Sequence, residues 1–287
     1  MEFINDLMTY GFLQKALITS VMVGLICGVI GSFIILRGMA LMGDAISHAV
    51  LPGVAISYML GINYFYGAVV TGVLTSLGIG MISQNSRVKN DSSIGLVFSA
   101  MFALGIILIT KAKSATDLTQ ILFGNVISVR SSDMWLTLVI GSIVIVAVVL
   151  FYKELLISSF DETMAAAYGL KTRLIHYGIM VLLTLVTVAS LQTVGVILVV
   201  SMLITPASTA YLLTNRLSTM IVLAAVFGAL SSIIGLYFSF VYNLPSGPVI
   251  ALATTAIFAV AFIFSPKQGI LWKMLKSNGK KARVHGA

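Results

Sequence analysis

Long apolar runs, interrupted by glycines, prolines and short charged clusters, set the pattern of this chain. A helix needs about 20 mostly apolar residues to cross a bilayer. Runs at residues 16–36, 40–60, 65–82, 94–110, 135–152, 177–191, 194–213, 219–241 and 249–264 approach that length. They predict an all-α integral membrane protein of about nine transmembrane helices. The sixth run is short and abuts the seventh around Gln192 and Thr193, where a broken or merged helix would make eight. Together the runs use nearly the whole chain, so residues 1–287 read as a single membrane domain.

Composition agrees with that pattern. Of 287 residues, 59% are hydrophobic and 9% charged, against roughly a quarter charged in a water-covered domain. The single Cys27 lies inside an apolar run, which excludes a disulfide framework or a Cys-rich metal site and suits a small packing residue. A formal charge of +8 would suggest nucleic acid in a soluble protein. Here the basic residues fall in short loops and the tail, where they set topology instead.

Arg37, Arg87, Lys89, Lys153, Lys171, Arg173 and Arg216 fall in alternate loops, and residues 267–287 form a basic tail. With nine spans all of these lie on one side, assigned to the cytoplasm, which puts the N-terminus outside and the C-terminus inside. The other side keeps Glu2 and Asp6 but also Lys111, Lys113 and Arg130. Glu2 and Asp6 also oppose a basic signal-peptide start, so the first run is expected to be a retained helix. Gly24-x-x-x-Gly28, Gly67, Gly72, Gly228 and Gly235 are expected to let membrane helices approach closely.

Asp44 is the one acidic residue within an apolar run, in the segment from Gly43 to Gly53. A charge there costs roughly 3 kcal/mol or more, so such residues usually face the bundle interior. His48, four residues on, shares its helix face. It would lie about 12 Å inside a span beginning near residue 40, close to the middle of a roughly 30 Å hydrocarbon layer. Pro52 and Gly53 follow, where a kink would open carbonyls toward a pathway. Carboxylate plus imidazole suits manganese, iron or zinc. An Asp–His hydrogen bond between helices and a proton relay are the alternatives on spacing alone.

Ser201, Thr205 and Ser208 form a second polar stripe at helical spacing beside Pro206. Pathway lining, with Ser47 and Pro52, competes with hydroxyls that simply bond back to the preceding turn. Between the fifth and sixth spans, residues 159–170 read as a short helix outside the membrane. Ser159 and Glu162 have capping-box spacing, Asp161 and Glu162 suit its start, and Gly169 suits its end. With Ala166 on a small-residue face, it is a candidate for docking another protein. No G-x-x-x-x-G-K-[ST] loop occurs, so the chain is not expected to hydrolyse ATP itself, and H-E-x-x-H and G-x-S-x-G are also missing. That leaves a proton-coupled carrier and an intramembrane enzyme as rival functions, the second lacking a catalytic constellation.

The stretch Gly43-Asp44-Ala45-Ile46-Ser47-His48-Ala49-Val50-Leu51-Pro52-Gly53 resembles the signature of bacterial manganese/zinc/iron ABC importer permeases. Asp91-Ser92-Ser93-Ile94-Gly95, Leu122-Phe123-Gly124-Asn125, the 160–170 helix, and Val194-Gly195-Val196-Ile197-Leu198 through Thr205-Pro206-Ala207 follow in the family's order. The resemblance implies a multi-pass permease of the bacterial cell membrane that pairs with a second copy, as a homodimer, or with a close homologue. It would carry two cytoplasmic ATP-binding subunits and receive metal from an extracytoplasmic metal-binding protein. Asp44 and His48 match the metal-contact positions, and Ser159, Asp161, Glu162, Ala166 and Gly169 lie in or beside the ATPase-coupling helix. The transported metal expected is manganese, because no thiolate favours zinc, with zinc or iron as alternatives. No cofactor is expected on this chain, ATP belonging to the partner. Thr163 departs from the pattern, since proline would open the coupling helix.

Overall fold

A computed structural model describes residues 9–111, 126 and 129–265. Glu2, Asp6, Lys113, the Leu122–Asn125 motif and the basic tail at 267–287 lie outside the described residues. Twelve helices follow one another among the described residues. They are α1 (Gly11–Leu36), α2 (Met42–Ala49), α3 (Leu51–Leu60), α4 (Tyr64–Asn85), α5 (Asn90–Lys111) and α6 (Ser131–Leu150). After these come α7 (Tyr152–Phe160), α8 (Glu162–Ala167), α9 (Thr172–Val194), α10 (Val196–Leu213), α11 (Leu217–Tyr242) and α12 (Ser246–Phe264).

Eight of these are long and apolar enough to cross a membrane. The second expected span is the exception, because α2 and α3 are separate short helices meeting at Val50. Pro52 explains the break: it has no N–H to give the carbonyl of His48, four residues back. The junction expected near Gln192 and Thr193 lies instead at Gly195. Its φ of 82° is one that glycine alone adopts freely, so α9 and α10 are distinct helices rather than one.

Helix α1 is central, with 72% of its most apolar window buried, while the corresponding window of α12 is 17% buried. Its glycines allow this. A methyl group on Gly24 would stand 2.5 Å from the carbonyl oxygen of Gly228, and one on Gly28 would stand 2.7 Å from that of Ala224. The backbones of α1 and α11 therefore approach directly, as small residues permit in membranes. Ser232 spans the same contact, donating to the carbonyls of Ser20 at 2.8 Å and Gly228 at 2.9 Å. Large apolar side chains such as Val70, Leu74, Val146, Val149, Leu252 and Val260 remain on the outside, where lipid rather than water suits them.

Contacts between helix ends fix which ends lie together. Near one end of the bundle, Lys15 in α1 donates to Ser131 at the start of α6 at 2.8 Å. At the other, Arg37 meets the last turn of α7 and the start of α9.

Candidate metal site and docking helix

Helix α1 ends in a Schellman turn. Gly38, at φ 65°, donates to Ile35 O at 3.2 Å, and Met39 donates to Ile34 O at 3.0 Å. Three residues further on α2 starts, and six of its eight residues are buried. The two that are not are Asp44 and His48. Gly43 faces the side chain of Leu203, where a methyl group would meet Leu203 Cδ1 at 2.8 Å. Leu203 lies seven residues into α10, about 10 Å along it. Asp44 is therefore placed well inside the bundle rather than at its rim.

His48 Nε2 stands 3.5 Å from Asp44 Oδ1, with side-chain exposures of 23% and 48%. That is longer than a good hydrogen bond, so both groups keep lone pairs available to a third partner. The imidazole is held edge-on by two rings of α5, Phe98 at 6.0 Å and Phe102 at 5.6 Å between centroids. Opposite, α10 presents Val196, Ile197, Val200, Ser201, Ile204 and Thr205, and the open cleft between them and the pair holds about 550 Å³.

Ser201 and Thr205 thus share the cleft with Asp44 and His48. Ser208 is not among its lining residues. Ser47 is buried, its hydroxyl donating to Gly43 O at 2.8 Å, and Pro52 packs on Gly105 of α5. Neither lines the cleft. No group of three or more His, Cys, Asp and Glu side chains is gathered among the described residues. The cleft offers one carboxylate, one imidazole and two hydroxyls from this chain.

The docking candidate is α8, and its cap differs from the expected one. Helix α7 runs on through Phe160, so Ser159 lies in its last turn and donates to Leu155 O at 2.7 Å. Asp161 is the N-cap instead, its Oδ1 accepting from the N–H groups of Thr163 and Met164, both at 2.9 Å. Thr163 adds its hydroxyl to the same oxygen, so the residue standing where proline was expected gives the cap two donors. These bonds, led by the Thr163 hydroxyl, hold the Asp161 carboxyl below its usual pKa range.

The other end of α8 closes as its glycine implies. Gly169, at φ 79°, donates to Ala166 O at 2.9 Å and Leu170 to Ala165 O at 3.1 Å, a second Schellman turn. Ala165 is fully buried. Ala166 is exposed, beside a stripe of Phe160, Met164 and Tyr168 that are 62%, 50% and 68% exposed.

Sequence reasoning read Arg37 only as a topology marker. Its side chain is 6% exposed and forks into the same end of the bundle. Nη2 donates to Ser158 Oγ at 2.6 Å and Nε to Ser159 Oγ at 3.2 Å. Nη1 lies 3.4 Å from His176 Nδ1 and 4.0 Å from Glu162 Oε1. Burial pushes the guanidinium pKa down from its ordinary value, with Glu162 opposing that.

A bundle of apolar helices around a largely apolar cleft that holds one carboxylate and one imidazole, with a capped helix beside its spans, has the architecture of a membrane transport permease. The chain belongs to the ABC 3 transport family, whose pattern matches residues 9–265. It is 67% identical over 276 residues to the manganese transport system membrane protein MntC of Listeria innocua, covering 96% of this chain and 99% of that one. The manganese import system permease protein ScaB of Streptococcus gordonii is 51% identical, with 96% of this chain and 99% of ScaB covered. A solved structure, PsaBC from Streptococcus pneumoniae in complex with Fab, matches with a TM-score of 0.84 at 51% identity, over 93% of this chain and 96% of that one.

Proposed function

We propose that this chain is the membrane-spanning permease subunit of an ATP-driven importer of divalent metal ions, with manganese as its cargo. One observation carries the reading. In α2 only Asp44 and His48 escape burial, and they open onto a cleft inside an otherwise apolar bundle. A carboxylate and an imidazole without a thiolate suit manganese over softer metals. The relatives named for manganese transport support the same choice.

ATP is hydrolysed by two separate subunits that dock on α8 from the cytoplasm. Metal reaches the outer mouth from an extracytoplasmic binding protein. The N-terminus is outside and the C-terminus inside, which puts α8 and the Arg37 cluster in the cytoplasm. Asp44 and His48 are two strong donors, whereas metals of this class take four to six. A second copy of the chain, apposed at the open side of the cleft, supplies the others.

Manganese uptake into right-side-out vesicles that bear the assembled transporter and are loaded with ATP, with or without vanadate inside, tests this. Uptake stops with vanadate, persists with a proton ionophore, and is lost in Asp44→Ala. Uptake that collapses with the ionophore and ignores vanadate makes the chain a proton-coupled carrier instead.

A further inference from the structure

Arg37 is not among the residues that line the cleft, yet its side chain joins several elements at its end of the bundle. Its partners come from three elements: Ser158 and Ser159 in the last turn of α7, Glu162 in the first turn of α8, and His176 near the start of α9. On its own side, the Schellman turn at Gly38 leads within five residues to Met42, the first residue of α2. Arg37 therefore stands between the helix offered to a partner and the helix that carries Asp44 and His48.

Its energetics favour a tie over a spacer. A guanidinium buried to this degree must find its donors' partners inside the protein. Here hydroxyls and one imidazole nitrogen satisfy it, while among the described residues its carboxylate contact is the 4.0 Å approach of Glu162, whose side chain is 63% exposed. Moving α7 and α8 away strands a buried cation, so the α1–α2 turn follows them at lower cost. Covering Glu162 with a docked subunit excludes water and strengthens its attraction to Arg37. His176 Nε2 is buried and has no protein hydrogen-bond partner among the described residues.

We infer that Arg37 is a positioning residue that ties the docking helix α8 to the metal-bearing helix α2, so that displacement of one moves the other. The inference rests on the proposed reading of α8 and the cleft, and it adds the mechanical link between them. The fork geometry is what matters. A lysine retains the charge but cannot span Ser158 and Ser159 together.

The test uses the complete transporter in proteoliposomes, with manganese uptake and ATP hydrolysis measured on the same preparation. In Arg37→Ala, hydrolysis continues while manganese carried per ATP falls at least about tenfold, within the usual range of a coupling between sites. Arg37→Lys lies between. An unchanged ratio overturns the inference, and so does a proportional fall in uptake and hydrolysis, which marks a purely structural role. Should Arg37→Ala not assemble, the Ser158→Ala/Ser159→Ala pair is judged by the same ratio. Asp44→Ala runs alongside to test the underlying reading. If it transports normally, the metal site is wrong whatever Arg37 does. If it abolishes uptake while Arg37→Ala keeps the wild-type ratio, only the link fails.

Discussion

Gly53 and Gly67 meet backbone to backbone: a methyl group on either would collide with the carbonyl of the other. This contact locks α3 onto α4 immediately beyond the break at Val50. Thr71 reinforces it by donating to Val50 O at 3.3 Å. The half that follows Pro52 is thus fixed, while α2, on the other side of the break, carries Asp44 and His48. A discontinuity between an anchored half and a functional half allows α2 to shift without dragging α3.

The first prediction follows from that contact. Gly53→Val forces the two helices apart, with a cost of about 1–3 kcal/mol as for overpacked cores. Thermal unfolding of the detergent-solubilised protein then comes at lower temperature. Gly95, which has open space around it, tolerates alanine with no such loss. Equal stability of Gly53→Val and wild type contradicts the close approach.

The second prediction concerns the α8 cap. Asp161→Ala leaves the N–H groups of Thr163 and Met164 without their carboxylate. Their amide exchange quickens roughly fivefold, as expected from loss of a good N-cap. Ser159→Ala leaves exchange at those two amides unchanged, because Ser159 does not cap α8. The folded carboxyl titrates below its unfolded value, so its contribution is complete above the ordinary carboxylate range. It is lost only as pH falls through the lower, folded pKa. Capping is therefore full at neutral pH, and the protection it gives these two amides, relative to their intrinsic exchange, is lost in wild type only as pH falls below the ordinary carboxylate range.

Much of this was legible in the sequence because lipid punishes charge. The apolar runs located the crossings, and Asp44 stood out as the one acid inside them, with His48 on the same face. What stayed hidden was decided by contacts between distant segments. Ser159 and Asp161 are both good caps locally. The choice fell to Asp161 because α7 continues through Phe160 and because Ser159 is engaged by Arg37, 122 positions away in sequence. Arg37 itself looks like any loop arginine until α7, α8 and α9 close around it. Phe98 and Phe102 share helical spacing with many lipid-facing aromatics, and nothing in the chain marks them as flanking His48. The run at residues 40–60 breaks beside Pro52, where the sequence predicts a kink, although hydrophobicity alone reads it as one crossing.

The last prediction joins the cleft to symmetry. One chain offers Asp44, His48 and the weaker hydroxyls of Ser201 and Thr205, too few strong ligands to replace the water around a divalent ion. The Asp44 side chain is 48% exposed in a single copy, and a carboxylate at that depth facing lipid would be costly. On the proposed reading, two copies paired about an axis normal to the membrane would bring both carboxylates and both imidazoles to one ion. Such a site works as a unit. A covalently linked dimer with His48→Ala in one half loses most of its manganese uptake, close to the loss when both halves carry the change. Expression and assembly with the ATP-binding subunits stay normal in both. If the singly altered dimer carries manganese at half the normal rate, each copy has its own pathway and the shared site is wrong.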